Sequence, residues 1–145
     1  MDDGWPLAVR RAVLAAHRLA NQSPDVVAVA VVGSWARKTA GPQSDIDLIV
    51  LTDDPGTLLD SEDWFALFDA SAHLVRANSF GALQERRLAV PGGPDIEVGI
   101  GRPSWATTCP IDEGTARVAV AGMTIVYDPT GCLRALRAAV RHGVV

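Results

Sequence analysis

The chain lacks most of what would make it a disulfide scaffold, a membrane span or a nucleic-acid clamp. Its two cysteines, Cys109 and Cys132, stand far apart without metal-ligand spacing. That argues for two reduced, packed thiols over a disulfide framework or a zinc site. The three histidines, His17, His73 and His142, form no spaced cluster. The longest strongly apolar run, Val26 to Val32, is far short of the roughly 20 residues that cross a bilayer, so no membrane partner is expected. Positive charge is not in excess: the formal net charge is −4. Free nucleic acid is therefore not an expected partner, because a strand or duplex demands a basic surface. A small nucleotide stays open, since metal ions and a few local cations can offset its charge. The chain starts Met1-Asp2-Asp3, acid where a signal peptide would be basic, and the expected location is the cytoplasm. There is no repeat, low-complexity stretch or inter-domain linker.

What is present is enough for one domain. The 145 residues are 48% hydrophobic and 21% charged, a globular balance with room for a real core. Trp5 to Asn21 reads as a helix, with Leu7, Val13, Leu14 and Leu19 on one face. The valine-rich run Val26 to Val32 reads as a buried strand. Trp35 to Thr39 starts a short helix, which Gly41-Pro42 would stop. Asp45 to Thr52 is the second strand, and Asp53-Asp54-Pro55-Gly56 is a turn. Ser61 through Ala70 is expected to be helical with Ser61 as N-cap. Leu74 to Ala77 is a short strand. Leu83 to Val90 and Asp95 to Ile100 form a hairpin around Pro91-Gly92-Gly93-Pro94. A helix over Asp112 to Ala119, a strand over Thr124 to Tyr127, a turn at Asp128-Pro129-Thr130-Gly131 and a helix over Leu133 to Arg141 complete the chain. Helices and strands alternate with a hairpin inside, so the fold class is α/β of the α+β type, with a mixed sheet and flanking helices.

Chemistry concentrates in Gly33-Ser34-Trp35-Ala36-Arg37 and Ser44-Asp45-Ile46-Asp47-Leu48-Ile49-Val50. Side chains alternate along a strand, so Asp45 and Asp47 point the same way, their backbones about 6.6 Å apart. Ile46, Leu48, Ile49 and Val50 mark the strand as otherwise buried, and two unpaired like charges there are costly. A cation or a wet cleft resolves that cost. Magnesium suits two such carboxylates, because it keeps part of its shell for water and phosphate. An isolated Asp-x-Asp would more often be a solvated strand start. The upstream glycine and serine change that. Gly33 lets backbone approach a ligand, the amides after it can hold phosphate oxygens, and Ser34 adds a hydroxyl. Arg37 can reach phosphate as a planar fork. Lys38 reads better as a solvated lysine.

The string GSWARKTAGPQSDIDLIV resembles the DNA polymerase β-like nucleotidyltransferase superfamily, in particular its small bacterial branch of minimal and aminoglycoside-nucleotidyltransferase-like proteins. The resemblance implies a nucleotidyltransferase fold and a third carboxylate on a later strand. Here Pro94-Asp95-Ile96-Glu97-Val98-Gly99-Ile100 offers Asp95 and Glu97 on one face. Glu97, mid-strand between Ile96 and Val98, is favoured over Asp95 beside the turn. The resemblance assigns Asp45, Asp47 and Glu97 to catalysis and magnesium binding. It assigns Gly33, Ser34, Arg37 and Ser44 to the nucleotide. The implied reaction moves a nucleoside monophosphate, AMP from ATP, to an acceptor hydroxyl and releases pyrophosphate. Trp35, Trp105 and Tyr127 could stack on a base, although core packing is the commoner fate of such residues. Pro103-Ser104-Trp105-Ala106 could line an acceptor pocket.

Three readings of function stand at this point. The acceptor is a small hydroxylated molecule, with a homodimer completing its site. Alternatively the protein is an antitoxin-type adenylyltransferase acting on a helical toxin partner. The third reading is a nucleotide-binding module without turnover.

Overall fold

A computed structural model describes residues 4–141; Met1-Asp2-Asp3 and His142 lie outside them. Helix α1 (Leu7–Gln22) leads into strand β1 (Val26–Val32), the short helix α2 (Gly33–Arg37) and strand β2 (Ile46–Thr52). Helices α3 (Pro55–Leu59) and α4 (Phe65–Phe68) follow, then strands β3 (His73–Phe80), β4 (Leu83–Ala89) and β5 (Ile96–Gly101). A 3-10 turn at Pro103–Ala106, helix α5 (Glu113–Ala121), strand β6 (Thr124–Tyr127) and helix α6 (Cys132–Arg141) complete the order. The six strands form one mixed sheet in the order β3-β4-β5-β2-β1-β6. Only β2 and β5 run parallel; every other neighbouring pair is antiparallel. The expected mixed sheet with flanking helices is what the chain forms.

Alternation along the strands builds two cores. Val29, Val31, Ile46, Leu48, Val50, Ile96, Val98 and Ile100 face α1 and α4. On α1, Val9, Ala12, Val13, Ala16, Leu19 and Ala20 meet them at helical spacing. Each large aliphatic side chain buried this way contributes roughly 1.5–3 kcal/mol. The other face carries Ala28, Ala30, Val32, Ile49 and Leu51 under Trp105, Leu133 and Leu136. The alanines of β1 keep that side shallow. Asp128 is buried; its carboxylate accepts hydrogen bonds from the Leu133 and Arg134 amides at 3.2 and 3.0 Å. Those bonds satisfy first-turn donors of α6. The segment read as a simple turn is thus also a helix cap.

Several expected boundaries move. Of the helix expected over Ser61 to Ala70 only the short α4 forms, and another short helix, α3, stands before it where the expected turn at Asp53 to Gly56 ends. Pro55 starts α3 where its missing N–H costs nothing. Trp64 Nε1 donates to the Leu58 carbonyl at 2.9 Å and ties the pieces together. Ser61 does not cap a helix; its hydroxyl accepts from the Asp63 amide at 3.1 Å. The short helix after Gly33 begins and ends earlier than expected. Lys38, in the left-handed region at φ 63°, terminates it before Gly41-Pro42. Strand β3 runs well past Ala77 and pairs with β4 through a tight turn at Gly81, a second hairpin. Cys109 is exposed rather than packed, and both cysteines are free.

Candidate active site

Gly33 fixes the geometry at the end of β1. Its φ of 69° turns the chain into α2. A side chain there would run into the Asp47 carboxylate, since Val32 pairs with Asp47 across β1 and β2. Both the backbone conformation and the close approach therefore require glycine. Parallel pairing of β2 with β5 then sets Asp47 directly opposite Glu97. Each is flanked by buried aliphatics that pin the strands from the other face. Burial pushes the Asp47 carboxyl up to about 7, helped by its hydrogen bond with the Glu97 carboxyl and the charges of Glu97, Asp45 and Glu85. Asp47 therefore holds its proton more tightly than an ordinary carboxyl. Glu85, on β4, is also raised, by burial and by the charge of Glu97, with Arg76 opposing.

Asp45 precedes β2, and its carboxylate pairs with Arg87 at 2.8 Å. Of the three expected carboxylates, Asp47 and Glu97 meet directly, and Asp45 stands beside them on a guanidinium. No three His, Cys, Asp or Glu side chains among the described residues are arranged to hold a metal ion. Like charges repel without a cation between them, and Arg87 supplies the cation for Asp45. Asp95 is held at 2.8 Å by the same guanidinium. The Asp47–Glu97 pair itself fits a hard divalent cation, for its donors are anionic oxygens set opposite each other across two strands.

Arg87 is the residue that sequence reasoning missed. Burial disfavours its charge, but hydrogen bonds to Asp95, Asp45 and Glu97 outweigh this and raise its pKa. The signal was present in the hairpin. A turn centred on Gly92 sets Arg87 opposite Glu97 by counting outward, and the register shows that pairing.

A cleft of about 250 Å³ is bordered by Gly33, Arg37, Asp47, Glu85, Glu97 and Phe80, while Asp45, Asp95 and Arg87 lie outside its lining. Val118 and Ala121 of α5 form one wall. Gly122 ends that helix with no side chain to hold it off: a Cβ there would sit 3.2 Å from the Ala36 carbonyl of α2. Ser34 lies in the first turn of α2, its carbonyl accepting from the Thr39 amide at 3.0 Å. Ser44 shapes the loop before β2. Its hydroxyl accepts from the Gly41 amide at 2.9 Å and its carbonyl from Trp35 Nε1 at 3.1 Å. Trp35 and Trp105 are buried, and neither they nor half-buried Tyr127 border the cleft. The Trp105 carbonyl accepts from the Thr115 hydroxyl at 2.8 Å, so the 3-10 turn braces α5.

Fold and site together are similar to those of a nucleotidyltransferase domain. The family model described as a nucleotidyltransferase domain matches residues 14–81, which take in Gly33, Ser34, Asp45 and Asp47. Among solved structures, terminal uridylyl transferase 4 from Trypanosoma brucei with bound UPU superposes with a TM-score of 0.52, at 14% identity over 77% of this chain and 37% of that one. A cytoplasmic RNA terminal U-transferase gives 0.47, with 21% identity over 77% of this chain and 32% of that one. A toxin–antitoxin structure with AMP-PNP gives 0.42, with 13% identity over 90% and 84%. The chain spans about a third of the length of the terminal uridylyl transferases. No curated protein matches it. No helix among the described residues is long and apolar enough to cross a membrane.

Proposed function

We propose that this domain transfers a nucleoside monophosphate, AMP from ATP, to a hydroxyl of a small molecule. The observation that carries the reading is the Asp47–Glu97 pair set under Gly33 on one open cleft. Gly33, Ser34 and Arg37 sit at the β1 end and would take the β and γ phosphates; Ser44 holds the adjoining loop. Asp45, Asp47 and Glu97 would hold magnesium, which when bound neutralises charge on the triphosphate and leaving group. Phosphoryl transfer proceeds with attacking and leaving oxygens roughly in line. Pyrophosphate leaving toward Gly33 and Arg37 puts the acceptor at the opposite end, where β5 and β4 carry Glu97 and Glu85 and Phe80 forms the rim. Glu97 would take the acceptor's proton there.

That end of the cleft favours a small acceptor over an RNA strand. Phe80 is 66% exposed and offers an apolar surface. Glu85 adds a carboxylate, which repels a phosphodiester. Arg76 and Arg87 are already bonded to Glu97, Asp45 and Asp95. The test is transfer from α-labelled ATP with magnesium, offered a metabolite pool in one arm and an oligoribonucleotide in the other. Label is expected on a small hydroxylated product. Extension of the oligonucleotide, or no transfer in either arm, would overturn the reading.

A further inference from the structure

Arg87 stands at the centre of the acidic site, and its bonding pattern is unusual. An arginine with one carboxylate partner commonly makes two parallel bonds to it. Arg87 instead gives each nitrogen a different carboxylate. Nη2 lies 2.8 Å from Asp45 Oδ2, Nε 2.8 Å from Asp95 Oδ2, and Nη1 3.1 Å from Glu97 Oε1. The three acids come from two separate segments, the approach to β2 and the start of β5. The guanidinium therefore links strands through their charges as well as through the sheet. Arg76 also reaches Glu97 Oε1, at 2.7 Å, but from the exposed edge strand and to that one acid alone. Asp47 and Glu85 add further negative charge within reach of Glu97. Five carboxylates thus gather here, and of the two guanidiniums bonded to them Arg87 is the shielded one, its side chain 22% exposed.

We propose that Arg87 is the built-in counter-ion of this site, a positioning residue that gathers Asp45, Asp95 and Glu97 in the metal-free protein and releases Asp45 and Glu97 to an incoming divalent cation. The proposal rests on the reading of Asp45, Asp47 and Glu97 as cation ligands. It goes beyond that reading by making the metal-free state a defined one. Asp45 Oδ2 is already bonded, so any cation that takes this oxygen competes with a guanidinium for it. Removing Arg87 has two opposite consequences. The metal-free site loses the more shielded of the two guanidiniums bonded to its acids and becomes less stable. The same loss removes the competitor, so a cation binds more tightly. A residue that merely braced the hairpin would produce the first effect without the second.

The test uses the full chain with magnesium chloride alone and no nucleotide. Thermal unfolding in a chelator and calorimetric titration with Mg2+ are measured for the wild type, Arg87→Gln and Arg87→Lys. In the chelator Arg87→Gln is expected to melt several degrees lower than the wild type. Its apparent Mg2+ affinity is expected to rise about tenfold. Arg87→Lys keeps a charge but lacks the fork that serves three acids; it is expected to fall between the two. Where Arg87→Gln does not fold, Arg87→Lys carries the test, with an expected tightening of about threefold. Mg2+ binding no tighter than the wild type in the folded variant overturns the proposal and leaves the cation reading standing. The cation reading has its own control in Asp47→Asn. Mg2+ binding that is absent from the wild type, or unchanged by that substitution, overturns the reading and the proposal with it.

Discussion

The two faces of this sheet are made by the same strands and do opposite work. On β5, Ile96, Val98 and Ile100 are buried beneath α1 and α4, while Glu97, one residue out of step, points into the cleft. On β2, Leu48 and Val50 are buried on the first face and Asp47 stands on the second. The face beneath α1 and α4 carries the larger core, while the other face keeps a smaller core under Trp105, Leu133 and Leu136 beside the acid pair, where the raised Asp47 carboxyl marks a cost of burial. Strand alternation makes this division possible: a charge can sit next to a core residue in sequence and lie on the far side of the sheet from it.

The comparison can be broken one strand at a time. Glu97→Gln is expected to lower turnover by about a hundredfold or more, since an anionic group at the reacting centre is worth several kcal/mol. Its melting temperature should change little. Ile100→Ala, three residues along the same strand, should do the reverse: a loss of about 2–5 kcal/mol in denaturant unfolding, with turnover retained at temperatures where the variant is folded. Equal effects of the two substitutions on both measurements would erase the distinction between the faces.

Glycines sharpen the same contrast. Gly33→Ala puts a methyl group against the Asp47 carboxylate at a positive φ. A cost of about 1–3 kcal/mol in stability is expected, together with at least tenfold slower transfer. Gly92→Ala is also at positive φ, but a Cβ there meets nothing within 4 Å. It should cost only the backbone penalty of about 1–2 kcal/mol and leave transfer unchanged. Paired unfolding and activity measurements on the two variants separate strain in general from intrusion on Asp47.

The smallest effect is in pH. The Asp47 carboxyl is raised from 3.8 to about 7 on folding. Over that interval the folded state holds more protons than the unfolded state. Stability from this group is therefore full below pH 4 and is lost as pH rises toward and through 7. Against an Asp47→Asn reference in chelator, the wild type should lose about 1–2 kcal/mol between pH 5 and pH 8, allowing for solvent screening. A flat or reversed difference would contradict the raised Asp47 carboxyl.

Much of this was legible in the chain because local pattern and tertiary outcome agree. The valine run of β1, the Gly33 bend, the alternation through Asp47 and the Pro91-Gly92-Gly93-Pro94 hairpin each carry their own signal. The family resemblance, with its mid-strand position, favoured Glu97 over Asp95, and Glu97 is the one that lies opposite Asp47. What was not legible depends on distance. Strand β3 is exposed along its length, so no buried stripe marked its ends, and only its pairing with β4 defines them. The break between α3 and α4 depends on Trp64 and Phe65 packing edge to face at 4.7 Å and on the Trp64 bond to Leu58. Periodicity does not report either. Asp45 was read with Asp47 because alternation puts them on one face. Its capture by Arg87 depends on a residue on β4, two strands away across the sheet.

The most direct measurement is magnesium-dependent transfer of labelled nucleotide by Asp47→Asn at pH 8, read alongside its melting temperature. We expect transfer to fall to background while the protein melts at or above the wild-type temperature, because the substitution removes a buried charge and leaves the apolar face intact. Full transfer by a folded Asp47→Asn protein would contradict the central claim that this carboxylate and Glu97 form the reactive centre.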